Sequence, residues 1–331
     1  MSHDFEQLTI SFTEKSLQFL QPAGTSRGVY LERKVWYVEA YANYNGLPVY
    51  GIGECAPLPQ LSCDDVPNYV EILAEACRLW QTTQVFPREF LKTYPSILMG
   101  FETVQLSLHR CAETGNPFLL SSTPFALGKE GIPINGLVWM GNAEEMLERM
   151  KAKLAAGFRC VKIKIGAIDF EAELNLLSIL RQHYSPQQVE LRLDANGAFS
   201  PQEAIEKLRL LSAFNIHSIE QPIRAGQWIE MAELCRQTPI PIALDEELIG
   251  IHSKEEKERL LDTIKPQYII LKPSLHGGFS GAEEWEELAD ARGIAHWATS
   301  ALESNVGLNA IAHWTVRRQE GKAKTGKPLM P

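Results

Sequence analysis

At 331 residues, with 45% hydrophobic and 22% charged residues, the chain holds enough apolar material for two domains, or for one large barrel with an appendage. Its 32 basic and 41 acidic residues give a formal charge of −9 with no basic block, so nucleic acid and anionic membrane are not expected partners. Cys55, Cys63, Cys77, Cys111, Cys160 and Cys235 form no C-x-x-C pair and read as reduced, mostly buried small hydrophobes. With no basic leader, no apolar h-region and no span-length apolar run, a cytoplasmic protein is expected.

Residues 8–12, 29–41 and 48–54 are apolar and β-branched runs broken by turn residues such as Asn45-Gly46, which predicts a small antiparallel sheet with hairpins. Helices are predicted from about Asp65 to Trp80 and from about Ile97 to Cys111, where apolar residues recur at helical spacing. Sheet first and helices after predicts an α+β unit over residues 1–125, with the polar stretch Ser121–Gly131 as linker. From Pro133 the texture alternates. Candidate strands are Pro133–Val138, Cys160–Ile165, Glu190–Asp194, Ser218–Gln221, Ala243–Glu246, Ile269–Lys272 and His296–Ser300. Between them lie amphipathic helices such as Ala143–Ala155, Phe170–Arg181, Pro201–Leu211 and Gly281–Arg292, and a last helix is expected near Asn305–Gln319. Strand-to-strand spacing of about one βα unit predicts a (β/α)8-type barrel over residues 126–331.

Several short motifs fail on context. Gly51-Ile52-Gly53-Glu54-Cys55-Ala56 fits a dinucleotide fingerprint, but Pro57 and Pro59 follow where a helix should open. Gly321 to Lys327 spells G-x-x-x-x-G-K, yet Pro328 stands where a P-loop needs Ser or Thr. The histidines form no H-x-x-x-H pair, and there is no G-x-S-x-G elbow.

The strand ends carry the chemistry. Lys162 and Lys164 share one face of their strand, and Arg192 and Asp194 share one face of the next. Glu220, Asp245 and Lys272 end the following three, at intervals of 25–30 residues. One such charge is ordinarily a buried ion pair or a strand-end cap, but a run in successive units must neutralise itself or hold a cation. Three carboxylates from adjacent strands suit an octahedral Mg²⁺ with positions open to a ligand. A carboxylate held there becomes a better carbon acid, and burial, a second ammonium and a dication would all lower a lysine's pKa until it serves as the base.

Lys162-x-Lys164, Asp194-x-Asn196, Glu220-Gln221-Pro222, Asp245-Glu246 and Lys272-Pro273 together resemble the muconate-lactonizing subgroup of the enolase superfamily. Thr25-Ser26-Arg27-Gly28, Gly53-Glu54-Cys55-Ala56-Pro57-Leu58-Pro59 and Ser300-Ala301-Leu302-Glu303-Ser304 are most similar to its o-succinylbenzoate synthase branch. The resemblance implies a modified TIM barrel with an N-terminal α+β capping domain, and a Mg²⁺ cofactor for which Mn²⁺ could substitute. It implies a lyase of menaquinone biosynthesis that dehydrates 2-succinyl-6-hydroxy-2,4-cyclohexadiene-1-carboxylate. Lys164 would be the base, Lys272 a cation facing the intermediate's other side, and Lys162 a group tuning Lys164. Asp194, Glu220 and Asp245 would bind the metal. Ser300, Arg27 and Arg192 are candidate substrate contacts, with Asn196 behind the site. The same two-lysine geometry serves N-acylamino-acid racemases, dipeptide epimerases and muconate cycloisomerases. A silent carboxylate-binding scaffold is disfavoured by the complete charge set. The family pattern also implies one further, glycine-containing strand to close the barrel, which is not found before Pro331.

Overall fold

The computed structural model describes residues 5–25, 28–139 and 141–325. Three strands, β1 (Glu6–Thr25), β2 (Gly28–Tyr44) and β3 (Leu47–Cys55), form an antiparallel sheet with β2 in the middle. Asn45 and Gly46 both take positive φ between the paired residues Tyr44 and Leu47, as a two-residue hairpin turn of right-handed twist requires. β1 runs well past its predicted end and pairs along β2 as a two-stranded arm, whereas β2 begins within one residue of its predicted start. Between residues 13 and 22 the side chains of β1 are exposed or half-buried, Leu20 fully exposed, so no buried face leaves an alternating signature there.

Helices α1 (Tyr69–Thr83), α2 (Arg88–Leu91) and α3 (Pro95–Thr114) pack on this sheet around Val38, Ala40, Leu73, Trp80, Phe101 and Val104. The rejected dinucleotide glycines have a packing role here. A Cβ on Gly53 would lie 2.0 Å from the Gly100 carbonyl oxygen, and one on Gly51 would lie 2.7 Å from Leu108 Cγ. Facing them, a Cβ on Gly100 would meet Cys55 Sγ at 2.4 Å. These glycines let β3 and α3 touch backbone to backbone.

The second unit alternates strand and helix: β4 (Gly136–Val138), α4 (Ala143–Ala155), β5 (Cys160–Lys164), α5 (Phe170–His183), β6 (Glu190–Asp194), α6 (Pro201–Ser212) and β7 (Ile216–Glu220). It continues through α7 (Trp228–Gln237), β8 (Ile242–Leu244), α8 (Lys254–Ile264), β9 (Tyr268–Leu271), α9 (Gly278–Asp290), β10 (Ala295–Ala298) and α10 (Asn305–Thr325). Local signals set the boundaries. At α4, for example, the Asn142 side chain accepts from Glu145 N–H while Glu145 reaches back to Asn142 N–H.

The seven strands pair in parallel in the order β4-β5-β6-β7-β8-β9-β10, a curled sheet of the modified TIM-barrel kind wrapped in helices. Val161, Ile163, Leu191, Leu193 and Ile219 point outward into the main core against the helices. Their alternates therefore point inward. Among the described residues no eighth strand joins β4 to β10, so the closing strand implied by the family resemblance is not seen in this part of the chain. No described helix is long and apolar enough to cross a membrane.

Because the β3–α3 approach leaves no room for a methyl group, Gly53→Ala is expected to cost about 3 kcal/mol, the upper end for overpacking. A urea titration of the variant against the parent protein measures it.

Candidate active site

The inward faces of β5 to β9 place their charges at one end of the barrel. Lys164, Asp194 and Glu220 are the last residues of β5, β6 and β7, while Asp245 and Lys272 follow directly on β8 and β9. Lys164 pairs in register with Asp194, and Asp194 with Glu220. All are buried or nearly so; Glu220 and Asp245 have no exposed surface. Lys162 Nζ donates to Glu220 Oε2 at 2.7 Å and lies 3.3 Å from Asp194 Oδ2. Lys164 Nζ donates to Asp194 Oδ2 at 2.9 Å and to Asn196 Oδ1 at 2.7 Å, and Lys272 pairs with Asp245 Oδ2.

Burial opposes the charges on Lys162 and Lys272. Glu220 and Asp194 outweigh it at Lys162, and Asp245 at Lys272, so both ammonium groups are held above their ordinary pKa. Burial raises the Asp194 carboxyl, but Lys164 and Lys162 overcome it and hold the group well below the carboxylate range. Glu220 goes the other way, pushed up to about 7 by burial and by Asp194 and Asp245.

Each of the three candidate metal ligands is thus paired with a lysine, and the three do not converge as a ready cage. Among the described residues only Glu286, Asp290 and His296 bring three ligand atoms within 4.8 Å, and Lys322 fills that place with bonds to all three. The donor set at the strand ends nevertheless fits a hard cation. Glu220 Oε1 and Asp245 Oδ1 are buried oxygens with no hydrogen-bond partner.

A cavity of about 650 Å³ opens over these groups, with Lys162, Lys164, Asp194, Asn196, Glu246 and Lys272 on its polar wall. Glu220 and Asp245 lie behind that wall. Leu58 and Leu61 from the first unit, with Ile134, Leu137 and Trp139, supply apolar lining. Ser300 also lines the cavity, in the loop after β10. Arg192 does too, but deeper in the barrel, where its guanidinium lies 4.4 Å from the Trp297 ring centroid and donates to Glu190 at 2.7 Å. Arg27 lies outside the described residues.

Other groups brace the site. Gln221, at positive φ, accepts from the N–H groups of Asp245 and Glu247 and donates to Glu247, tying the end of β7 to the turn after β8. His276 accepts the Lys272 N–H through Nδ1 at 3.1 Å, and burial pushes its imidazole down to about 3, so it stays neutral. Sequence reasoning missed Gln221, Glu246 and His276 as contributors, although Gln221 and Glu246 sit inside the quoted phrases.

The first unit is locked onto the barrel by buried carboxylates at helix N-termini. Glu54 accepts from Ser304 N–H at 2.8 Å, Ser304 Oγ at 2.5 Å and Gly307 N–H at 2.7 Å at the start of α10. Glu102 of α3 accepts from Phe279 N–H at 2.6 Å at the start of α9. Beside Glu54, the Arg33 guanidinium bonds the carbonyls of Ala56 and Ala301. The phrases around Glu54 and Ser304 therefore meet in space.

Residues 145–321 match the enolase C-terminal domain-like family. A similar chain, o-succinylbenzoate synthase of Desulfotalea psychrophila, is 45% identical over 94% of this chain and 91% of its own length. This chain belongs to the enolase superfamily. The crystal structure of MenC from D. psychrophila matches 98% of this chain and 93% of that one, with a TM-score of 0.76 and 38% identity. L-Ala-D/L-Glu epimerase of Bacillus subtilis is 28% identical over 55% of this chain and 49% of its own length.

The Glu54 junction ties the two units through three hydrogen bonds. Glu54→Ala leaves two N–H groups at the start of α10 unpaired and is expected to cost about 3 kcal/mol, the range for a hydrogen-bonded charge. Chemical denaturation reads the loss.

Proposed function

We propose that this site dehydrates 2-succinyl-6-hydroxy-2,4-cyclohexadiene-1-carboxylate to 2-succinylbenzoate with syn geometry. This is the o-succinylbenzoate synthase reaction, a carbon–oxygen lyase step of menaquinone biosynthesis. The observation that carries it is the placement of Lys164 and Lys272 on one cavity, from strands separated by β6, β7 and β8, each bound to an acidic strand end. The 45% identity to an o-succinylbenzoate synthase over nearly the whole chain supports it.

Asp194, Glu220 and Asp245 would hold Mg²⁺, which stabilises negative charge as it builds on a carboxylate oxygen. Lys164, as the neutral amine, takes the ring proton next to the carboxylate onto Nζ, leaving enediolate charge on the substrate. Lys272 keeps its proton and lends positive charge to the other face. Protonated Lys164 then returns that proton to the departing hydroxyl on the same face. The C–O bond breaks, water leaves and the ring becomes aromatic. Lys162 stays charged between Asp194 and Glu220 and sets the field at Lys164. Ser300 and Arg192 are the candidate substrate contacts on the cavity wall.

Racemisation of N-acylamino acids or dipeptides is the second reading, favoured by the two lysines. A dehydration assay run beside a panel of such substrates decides between them. Dominant turnover of the panel sinks the first.

If the strand-end carboxylates hold the cation, Asp245→Asn should weaken Mg²⁺ binding by at least about tenfold, as loss of a direct ligand requires. Calorimetry on the folded variant measures this, and unchanged affinity rejects the assignment.

Arginine keeps its charge but does not exchange protons at neutral pH. Lys164→Arg should therefore lose about 10³-fold in dehydration, within the range for a missing general base. Lys272→Arg should retain a measurable fraction, while Lys272→Ala loses more, because a desolvated cation near the ring contributes up to about 2 kcal/mol. Equal and complete loss in both arginine variants, with Mg²⁺ still bound, would rule out this division of roles.

A further inference from the structure

Glu246 begins the short 3-10 turn Glu246–Leu248 after β8 and lies on the cavity wall beside the metal-ligand candidates. Its Oε1 accepts from Asn196 Nδ2 at 2.9 Å, and its Oε2 is buried with no hydrogen-bond partner. Leaving a carboxylate oxygen buried and unpaired is costly, and a fold keeps such an arrangement where something is gained from it. At its other end, the Asn196 amide accepts from Lys164 through Oδ1 at 2.7 Å. Asn196 itself is held in the left-handed region at φ 45°, with its N–H on Asp194 Oδ1.

We propose that Glu246 is a positioning residue for Lys164, acting through the Asn196 amide. The proposal rests on Lys164 being the base. A carboxylate only accepts hydrogen bonds, so the amide must turn its NH₂ toward Glu246 and its carbonyl toward Lys164. The opposite orientation sets donor against donor and acceptor against acceptor. With Asn196 Oδ1 and Asp194 Oδ2 both accepting from Nζ, and Cε as the third neighbour, the fourth tetrahedral direction of the nitrogen is left for the cavity. That direction carries the lone pair in the neutral amine and the returned proton in the charged one. Glu246 thus sets where the base points through the Asn196 amide.

The test is a double-mutant cycle on the Mg²⁺-loaded enzyme, with kcat and KM for the cyclohexadiene acid and the Mg²⁺ dissociation constant read for each folded variant. Glu246→Ala is expected to lower kcat about 10- to 100-fold, the range for loss of an outer hydrogen-bonding partner, with KM and the Mg²⁺ constant nearly unchanged. Glu246→Gln, which preserves volume and offers a carbonyl to Asn196, should recover most of the loss. In an Asn196→Ala background, Glu246→Ala should add nothing. A loss in that background as large as in the parent enzyme overturns the relay. So does a tenfold weaker Mg²⁺ affinity in Glu246→Gln, which would make Glu246 a ligand. Lys164→Ala separates the two layers. If it dehydrates at the parent rate, the base assignment itself falls; if it is inactive while the cycle is additive, only the positioning role falls.

Discussion

Opposite charge packed into a water-poor barrel mouth governs this molecule. Three ammonium groups, Lys162, Lys164 and Lys272, meet four carboxylates, Asp194, Glu220, Asp245 and Glu246, with little or no contact with solvent. Ionised together they leave one surplus negative charge, which a low-dielectric interior does not tolerate cheaply. Burial, together with Asp194 and Asp245, pushes both Glu220 and Glu246 up to about 7. Such a cluster favours a cation before an anion. A dication can take up the unpaired oxygens of Glu220 and Asp245, and the site then has positive charge to spare for a carboxylate.

That balance depends on the frame around it. The outward residues of β5, β6 and β7 are buried apolar side chains, and the register of these strands sets Lys164, Asp194 and Glu220 side by side. A slip of one residue on any strand would send a charge into the outer core. The first unit contributes no charge to the cluster among the described residues, but it closes the cavity with Leu58 and Leu61. Its own buried acids, Glu54 and Glu102, are satisfied by the first turns of α10 and α9. Cap and catalytic mouth thus use one physical device in two forms, a buried carboxylate answered by backbone N–H groups or by lysine.

Period-two alternation is a strong signal when one face is apolar and the other charged, and so β5 and β6 and their inward residues were legible in the sequence. The three-residue strands β4 and β8 were legible only through a charge or spacing at their ends, and their predicted bounds ran long. The outer part of β1 escaped because its residues 13–22 are exposed or half-buried on both faces. The partners of the lysines were not legible. Sequence shows that Lys162 and Lys164 share a face, but not that Glu220 from two strands away lies 2.7 Å from Lys162. The same limit hid Glu246, whose importance comes from Asn196 fifty residues earlier in the chain. Conversely, Gly51 and Gly53 looked like a cofactor fingerprint because close backbone approach is what both a pyrophosphate and a packed helix demand of glycine.

The two lysines that flank the cavity are not equivalent, and this bears on which reaction the site suits. Lys272 has a carboxylate partner, Asp245, while its backbone is pinned by the neutral His276. Its surroundings favour a fixed positive charge. Lys164 shares Asp194 with Lys162 and has in addition a neutral acceptor, the Asn196 carbonyl oxygen, which binds an ammonium or an amine alike. A racemase needs two groups that exchange protons with equal ease across a planar intermediate. A syn dehydratase needs one group that takes and returns a proton and another that only holds charge. The asymmetry between Asn196 beside Lys164 and Asp245 beside Lys272 is the one the second reaction requires.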